Sequence, residues 1–460
     1  MEAEPTMKYA TIGAEKLADA TRLDCGYFLS PANQLLDLLS TFKARGRKMV
    51  QLGGPNGIAK VWSPQRFRRE YAAPGEPSAP YLRPYDLFNY IPRSADSLSL
   101  LRTRNIADYQ ITTGMILQTC SGRNLGPATI VDAYLEEFLL SHDMVRIEIS
   151  NKVLRYYTLA FLNSDFGRLL IRRDKSGSVI DHISDKDVAR IEIPLLSEEV
   201  VHRIARMMEE AVQLKQTSRI GLRDLVNRYE EMLPQLVRQK PPRMGWSVLS
   251  QSIVGRLDAA YYDEFVTAVR HNLLDLGGIP LGSVADVQKP QGRYKTRYVD
   301  KEHGRPLLSG SQLMQATPVN LQYMSSKAFK DARNYELRAG WIAYPADGRA
   351  EEELGTPVII TADRDGWLAS GHVGRVIPNP GVDAGWLYLA LATSHAQIQL
   401  KATASGSVVD STFSWDMEGV LLPPVLGIDG TRALELWAGF AHAKVLEDEA
   451  SFLLDNHLRQ

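Results

Sequence analysis

The chain has 460 residues, with 53 Lys and Arg against 54 Asp and Glu, a net charge of −1 and 44% hydrophobic residues. This length predicts two or three domains, and the composition excludes disordered, collagen-like and purely coiled-coil proteins. The near-zero charge excludes a uniformly basic surface but leaves room for a local basic face.

Several features predict a cytoplasmic protein. No apolar run is long enough for a membrane span, and the first residues lack the basic and then apolar pattern of a signal peptide. Cys25 and Cys120 are the only two cysteines in the sequence. They are too few for a disulfide framework or a four-cysteine zinc site, which fits a reducing compartment.

The sequence repeats itself once, in the same order, with an offset of 234 residues at the first motif and of 226 to 229 residues at the later ones. The matched segments are 22–28 (RLDCGYF) with 256–262 (RLDAAYY), 80–88 with 306–314, 112–123 with 337–349, 138–149 with 367–378, and 176–181 (SGSVID) with 405–410 (SGSVVD). An ordered series of this kind indicates an ancient duplication. The alternative is that generic strand and turn patterns align by chance.

Each copy combines short strands with a helical segment. Runs rich in β-branched and aromatic residues, bounded by Gly, Pro, Asp and Ser, predict strands at 114–119, 129–134, 144–150, 341–345, 357–361 and 372–378. Apolar residues at three- and four-residue steps predict one helix over 156–173 and one over 386–402. Each copy is therefore expected to be α+β.

A long amphipathic helix follows each copy. The first is predicted over 198–238 and the second over 431–460, each with an apolar stripe on a charged surface, and Pro241 and Pro242 separate the first helix from the second copy. The two helices are the obvious partners for each other, so we expect an antiparallel pair with pseudo-twofold symmetry that separates two α+β globules. The predicted domains are a first globule at 1–196, a helix at 197–240, a second globule at 241–425 and a helix at 426–460.

The sequence offers no residues for catalysis. It has no G-x-x-x-x-G-K-[ST] phosphate loop, no G-x-G-x-x-G after a strand, no H-E-x-x-H and no C-x-x-C, and it lacks the motifs of an amino-methyltransferase. His142 and His372 occupy neighbouring positions in the two copies and are interpreted as strand or turn residues rather than metal ligands. We therefore expect a non-catalytic chain with no metal and no cofactor of its own.

Basic, aromatic and hydroxyl side chains recur at matching places in the two copies. Arg and Lys neutralise phosphates, Arg and Gln form paired hydrogen bonds with base edges, and Gly-Ser turns let the backbone approach a phosphate. The candidate DNA-binding residues are Arg66, Arg68, Arg69, Tyr81, Arg83, Arg123, Lys175, Ser176 and Ser178 in the first copy, and Arg293, Lys295, Arg297, Ser309, Gln312, Arg349, Lys401, Ser405 and Ser407 in the second. The alternatives are that the cations are ordinary surface residues and that the turns only start the next element.

The duplicated order of these motifs resembles the specificity (S) subunit of type I restriction-modification systems. The order is R-L-D-x-x-Y-[FY], a P-x-L strand and turn, a G-x-[IL] hairpin that ends in G-R, an S-G-S-x-x-D turn, and an I-P-L run into a long helix at 193–199. The helix entries depart from the usual Pro-Leu-Pro-Pro, with Pro-Leu-Leu-Ser at 194–197 and Leu-Pro-Pro-Val at 422–425.

The resemblance implies that each globule is a target-recognition domain that reads one half of a bipartite sequence in double-stranded DNA. It implies that the helices are spacers that bind two adenine-N6 methyltransferase subunits, and that a restriction and translocase subunit joins them. S-adenosylmethionine, ATP and Mg would belong to those partner subunits. A second hypothesis is a related DNA-binding adaptor of another phage-defence assembly, and a third is an enzyme of unknown type.

Overall fold

The computed structural model describes residues 11–14, 28–30, 32–122, 125–173, 182–238, 247–290, 297–325, 332–406 and 409–460. Most of the first R-L-D motif, the first S-G-S turn and the linker with Pro241 and Pro242 lie outside these ranges. Within the described ranges, no helix is long and apolar enough to cross a membrane.

Both halves of the chain mix helices and strands. The first half contains α1 (Ala32–Ala44), β1 (Met49–Gln51), β2 (Lys60–Trp62), β3 (Ser78–Leu82), β4 (Asp96–Ser99), β5 (Ile116–Thr119), β6 (Ala128–Ile130), β7 (Leu139–Leu140), β8 (Met144–Glu148), α2 (Lys152–Asn163), α3 (Asp165–Arg173), α4 (Asp185–Ala189), β9 (Glu192–Pro194) and α5 (Glu198–Glu231). The α+β prediction is confirmed for this half.

The second half repeats that order, with three additional short strands and one additional helix. It contains α6 (Glu264–Asp275), β10 (Ile279–Pro280), β11 (Ala285–Gln288), β12 (Tyr298–Val299), β13 (Gly304–Leu308), α7 (Gly310–Met314), β14 (Gln322–Ser325), β15 (Ile342–Pro345), β16 (Asp347–Gly348), β17 (Val358–Ile359), β18 (Leu368–Ala369), β19 (Val373–Pro378), α8 (Ala384–Ala392), α9 (Ser394–Ala402), β20 (Asp410–Ser411), α10 (Ser414–Glu418), β21 (Leu421–Leu422) and α11 (Gly430–Arg459). The six predicted strands all occur, as β5, β6, β8, β15, β17 and β19.

The chain divides into two compact units. Unit 1 comprises Met1–Phe88, Pro92–Gln216 and Ala443–Gln460, and unit 2 comprises Asn89–Ile91 and Thr217–His442. Each unit thus contains one α+β copy and part of both long helices.

The central sheet has the same topology in both units. Its strand order is β2-β8-β5-β6 in unit 1 and β11-β19-β15-β17 in unit 2, with antiparallel neighbours throughout. Ile116 pairs with Ile147 in the first sheet, and Ile342 pairs with Val376 in the second. All residues of β5 and β15 are buried, which requires that both faces of each sheet are covered.

Two smaller sheets are also duplicated. The order β4-β3-β7 in unit 1 corresponds to β14-β13-β18 in unit 2, where β12 extends it, and β1-β9 corresponds to β10-β21. The β3–β7 and β13–β18 pairs are both parallel, with Tyr81 opposite Leu139 and Leu307 opposite Leu368. The matched segments that begin at residues 80, 112 and 138 therefore share their strands with those that begin at 306, 337 and 367, and the predicted duplication is confirmed in the fold.

The helices predicted over 156–173 and 386–402 are each two helices, so that prediction was wrong in detail. Ser164 and Thr393 are extended at the breaks and cap the second helix of each pair: Ser164 Oγ accepts from the Gly167 amide at 3.1 Å and Thr393 Oγ1 from the Ala396 amide at 3.3 Å. In unit 1 the two helices meet so closely that a Cβ on Gly167 would lie 1.9 Å from the Phe161 carbonyl oxygen. The apolar periodicity continues across both breaks, which is why the sequence did not show them.

The first long helix ends earlier than predicted. α5 has 34 residues and stops at Glu231 rather than at 238. Pro234 disfavours helical geometry in the residue before it, and Leu233 closes the last turn by donating to the Glu230 carbonyl at 3.0 Å. α11 spans Gly430–Arg459, which confirms the second helix.

Each unit buries its part of the two long helices in its own core. In unit 1, Ile204 and Met208 of α5 share a hydrophobic cluster with Ala450 and Leu454 of α11. Lys215 Nζ lies 2.5 Å from Glu447 Oε1 in the same unit.

In unit 2 the contacts show that the two helices are antiparallel. Ser218 donates to the Leu436 carbonyl at 2.6 Å, whereas Tyr229, further along α5, reaches Pro424, which precedes α11. Tyr90 belongs to this unit, where its ring packs edge-on against Trp437 and Phe440.

Asp455 makes the stability of unit 1 depend on pH. Burial raises the pKa of Asp455 from 3.8 to about 6, and the nearby Asp165 charge acts in the same direction. The unfolded chain therefore releases this proton at lower pH than the folded unit. The resulting contribution to the free energy of unfolding is fully present below about pH 4 and is lost as the pH rises to about 6. The loss is at most about 3 kcal/mol.

We expect Asp455→Asn to remove this loss of stability at neutral pH. The free energy of unfolding of the variant, measured by chemical denaturation, should exceed that of the wild type at pH 7 and approach it at pH 4. Asp448→Asn is the control, because Asp448 is largely exposed on the same helix. Equal pH profiles for Asp455→Asn and the wild type would contradict the assignment.

Candidate nucleic-acid interface

In unit 1 an aromatic cluster anchors the segment that carries Arg66, Arg68 and Arg69. Phe67 stacks on Tyr109 with ring centroids 3.7 Å apart and meets Tyr81 edge-on at 6.2 Å. The three arginines around Phe67 are exposed. The half-buried Phe67 side chain thus fixes a short segment whose cations face solvent.

Arg68, Arg69 and Arg83 each have a partner within unit 1. Arg69 Nε donates to the Tyr81 hydroxyl at 3.1 Å, and its guanidinium lies 5.7 Å from the centroid of the Tyr81 ring. Arg68 Nε lies 3.1 Å from Glu70 Oε1, and Arg83 Nη2 lies 2.7 Å from Asp96 Oδ2. Tyr81 itself is 1% exposed. It therefore positions Arg69 and offers no surface of its own to a ligand.

Two histidines without a predicted binding role lie near these arginines. Burial lowers the pKa of His142, and the charges of Arg69, Arg66 and His182 act in the same direction, against Asp143. His142 packs edge-on against Phe67 with ring centroids 6.2 Å apart. We call Arg66, Arg69, His142 and His182 the unit 1 basic surface. There the structure brings two predicted arginines together with two histidines that were not predicted to bind.

In unit 2 two of the predicted residues form a helix cap. Ser309 Oγ accepts from the Gln312 amide at 3.3 Å, and Gln312 Oε1 accepts from the Ser309 amide at 3.1 Å, which makes a capping box at the start of α7. In unit 1 the side chain of Asp86 accepts from the Arg83 amide at 2.8 Å at the equivalent place. The polar groups of Ser309 and Gln312 are therefore largely used within the fold.

The remaining predicted residues of unit 2 lie in separate segments. Arg297 is exposed just before β12, and Arg349 is exposed with Glu352 Oε1 4.0 Å from its Nη1. Lys401 is half-buried in the last turn of α9, and exposed Ser405 pairs through its backbone with Ser411. Arg123, Lys175, Ser176, Ser178, Arg293, Lys295 and Ser407 lie outside the described residues.

A polar and aromatic strip in unit 2 was not predicted from the sequence. The carboxylate of Asp347 accepts hydrogen bonds from Lys289 Nζ at 2.8 Å, from Ser411 Oγ at 2.5 Å and from His372 Nδ1 at 2.6 Å. Lys289 lies 5.2 Å from the centroid of the Phe413 ring, and Phe413 stacks on Trp415 with centroids 4.5 Å apart. We call His372, Asp347, Lys289, Phe413 and Trp415 the unit 2 strip.

The unit 2 strip and the unit 1 basic surface each include a residue from the same paired position of the duplicated fold. Asp347 and Ser411 pair as β16 and β20, and the equivalent residues of the first copy, Ser121 and His182, form an isolated bridge. In the sequence, the duplicated S-G-S motifs directly precede Ser411 and His182, so the repeat itself was the signal for this position. The two copies retain the pairing and change the side chains.

The second R-L-D motif has a structural role. The Arg256 guanidinium contacts both oxygens of Asp258 at 2.9 Å, donates to the Thr403 carbonyl at 2.8 Å and reaches Asp416 Oδ1 at 2.5 Å. It lies 5.0 Å from the Tyr261 ring centroid. These residues line a groove of about 580 Å³ that also includes Trp415. The motif therefore fastens the start of the second copy to its globule.

The described residues offer little for metal or thiol chemistry. No group of three or more His, Cys, Asp and Glu side chains within them could hold a metal ion. Burial raises the pKa of the Cys120 thiol to about 12, so it stays protonated and unreactive at neutral pH.

The sequence matches no protein-family model and no curated protein. Solved structures similar to most of the chain are S subunits of type I restriction-modification systems, the family that the motifs resemble. One is the S subunit from M. genitalium, with 14% identity over 89% of this chain and 94% of that chain and a TM-score of 0.30. Another is the HsdS subunit from Thermoanaerobacter tengcongensis, with 14% identity over 89% and 99% and a TM-score of 0.26.

A third similar structure concerns complex assembly and conformational transition of the type I R-M system, with 16% identity over 89% of this chain and 97% of that chain and a TM-score of 0.28. All three TM-scores are below 0.5. The function of this chain must therefore be inferred from its own residues.

We expect Arg256→Ala to lower the free energy of unfolding of unit 2 by about 3 kcal/mol, because it leaves the Asp416 carboxylate, 8% exposed, without its cation. Chemical denaturation followed by tryptophan fluorescence measures this loss. Arg349→Ala removes an exposed cation from the same unit and should cost less than about 0.5 kcal/mol. Similar small losses for both variants would rule out the anchoring role.

Proposed function

We propose that the chain is the sequence-specific DNA-recognition subunit of a type I restriction-modification complex, with one unit for each half of a bipartite target. The observation that carries this proposal is the duplication of one backbone architecture with different polar side chains at equivalent exposed places. A protein that reads two different half-sites needs two similar frameworks with different contact residues.

The cations of unit 1 are suited to the DNA backbone. Arg66 is exposed beside Arg69 and His142, and the aromatic cluster under Phe67 holds the segment in place. Arginine donors fixed in this way neutralise phosphates, and ordered donors lose less conformational entropy on binding. We assign phosphate contacts to Arg66, Arg68 and Arg69, and a positioning role to Tyr81.

The proposed organisation follows the domains predicted from the sequence. The globules at 1–196 and 241–425 are the target-recognition domains, and the helices at 197–240 and 426–460 bind two adenine-N6 methyltransferase subunits. S-adenosylmethionine, ATP and Mg would be held by the methyltransferase and the restriction and translocase subunits. The chain itself would be non-catalytic.

The proteins that bind this chain distinguish the proposed function from that of a DNA-binding adaptor of another defence assembly. Co-expression with a neighbouring methyltransferase gene, followed by mapping of methylated adenines across the genome, tests it directly. A bipartite methylated sequence that depends on this chain supports the proposal. A stable complex that produces no methylation would favour the adaptor.

Exchange of residues 261–420 for the equivalent domain of another such subunit should change one half of the methylated sequence and leave the other half intact. The reason is that unit 2 carries its own central sheet and core and its own exposed polar residues. Methylome sequencing measures the result, and reinsertion of the original residues 261–420 is the control. A change in both halves, or in neither, would refute the assignment of one unit to each half.

Joint replacement of Arg66, Arg68 and Arg69 by Ala should flatten the salt dependence of DNA binding by the assembled complex. The slope of log K against log salt should fall in magnitude by about 0.9 for each phosphate that the variant no longer neutralises. Lys43→Ala is the control, because Lys43 is exposed in the same unit and pairs with Glu192. Titrations at several salt concentrations measure both slopes, and an unchanged slope in the triple variant would show that these arginines do not bind phosphate.

A further inference from the structure

The unit 2 strip presents an oriented imidazole to solvent. Asp347 is 14% exposed and accepts hydrogen bonds from Lys289 and Ser411, so its carboxylate is held in place. Its second oxygen lies 2.6 Å from His372 Nδ1, and the His372 side chain is 72% exposed. A carboxylate is an acceptor, so His372 Nδ1 donates to it and the ring is fixed with Nε2 as the remaining polar atom.

The other end of the strip presents an aromatic face. Trp415 is 59% exposed although it is a large apolar side chain. Its ring is stacked on Phe413 at an interplanar angle of 5°, and Phe413 packs against the Lys289 ammonium that also binds Asp347. Trp415 therefore stays in one orientation while its outer face is in water. An exposed and rigid indole suits contact with the flat or methylated surface of a base.

The first copy has different chemistry at the same backbone position. Asp347 and Ser411 are replaced there by Ser121 and His182, although the pairing of the two segments is retained. Asp143 occupies the position of His372, and the neighbouring His142 is 17% exposed, against 72% for His372. Within this shared frame, the side chains rather than the backbone distinguish the two units.

We propose that the unit 2 strip is a specificity-determining surface of that unit, with His372 Nε2 as the partner of a base edge in duplex DNA and Trp415 as an apolar contact beside it. The inference rests on the proposed function and names residues for it. Asp347 and Lys289 are positioning residues that orient His372 and Phe413. The Ser411 hydroxyl completes the hydrogen bonds of the Asp347 carboxylate.

The His372 assignment is tested with the full chain in complex with its methyltransferase subunits, by selection of bound duplexes from a randomised DNA pool. His372→Ala should reduce base discrimination at one position of the unit 2 half-site by at least about fivefold, and the other half-site should be unchanged. His372→Gln, whose amide reaches the place of Nε2, should retain part of the preference. His271→Ala, an exposed histidine on α6, is the matched control and should select the wild-type sequence.

Trp415→Ala should weaken binding of the selected duplex about tenfold, whereas Trp415→Phe should retain most of the affinity. A wild-type sequence preference in His372→Ala, or an unchanged Kd in Trp415→Ala, would overturn the assignment of that residue. A loss of methyltransferase assembly in Trp415→Ala with unchanged DNA affinity would instead make the indole a protein contact, which also overturns it. If the wild-type complex itself selects no bipartite sequence, the proposed function fails independently of these variants.

Discussion

Each unit depends on one buried arginine that joins its central sheet to the segment beside its smaller sheet. In unit 1, Arg146 of β8 donates to the carbonyls of Asp108 and Gln110, the latter at 3.2 Å, and Gln110 pairs with Leu139. In unit 2 the equivalent Arg375 of β19 donates to the Glu336 carbonyl at 3.0 Å, and Glu336 pairs with Leu368. Burial lowers the pKa of Arg146 to about 10, so the group stays charged at neutral pH. A buried cation is costly without hydrogen bonds, and these backbone carbonyls accept from it, so the contact ties the smaller sheet to the central sheet within each unit.

This fixed framework allows the surface to vary. The segment of Arg66 and Arg69 rests on the smaller sheet of unit 1 through Phe67 and Tyr81. At the turn after β3 or β13, one copy uses Asp86 to hold an amide and the other uses Gln312, with the same backbone result. Side chains at the surface can therefore change between the copies without a change of strand order or register. The proposed recognition of two different half-sites requires this separation of framework and surface.

The sequence predicted those parts of the fold that local patterns encode. The duplication, six strands and both long helices follow from repeated motifs and from apolar periodicity, and all of them occur. The breaks at Ser164 and Thr393 were missed because the apolar period runs through them, and the placement of Tyr90 in unit 2 depends on tertiary contacts.

The candidate site was less predictable for a similar reason. Arg66 and Tyr81 were both predicted to contact DNA because both residue types do so. Only the structure shows that Arg66 is exposed, whereas Tyr81 is buried beneath Arg69. Ser309 and Gln312 have the chemistry of base readers, yet they face each other in a helix cap. The unit 2 strip joins residues from four separate segments, with Lys289 and Trp415 more than a hundred positions apart, and only the sheet pairing brings them together.

The junction between globule and helix differs between the copies in a way that bears on domain exchange. In unit 1 the Tyr157 hydroxyl of the globule donates directly to the Pro194 carbonyl at 2.7 Å. The equivalent residue of unit 2 is Trp386, whose Nε1 donates at 2.9 Å to the Tyr229 hydroxyl of α5, and that hydroxyl lies 3.0 Å from the Pro423 carbonyl oxygen. A domain that replaces unit 2 without a donor at this place removes the hydrogen bond from Trp386 to Tyr229, although the Tyr229 hydroxyl keeps its carbonyl acceptors at Pro423 and Pro424. Exchange of unit 2 would therefore change a contact with α5 as well as the exposed polar side chains of that unit.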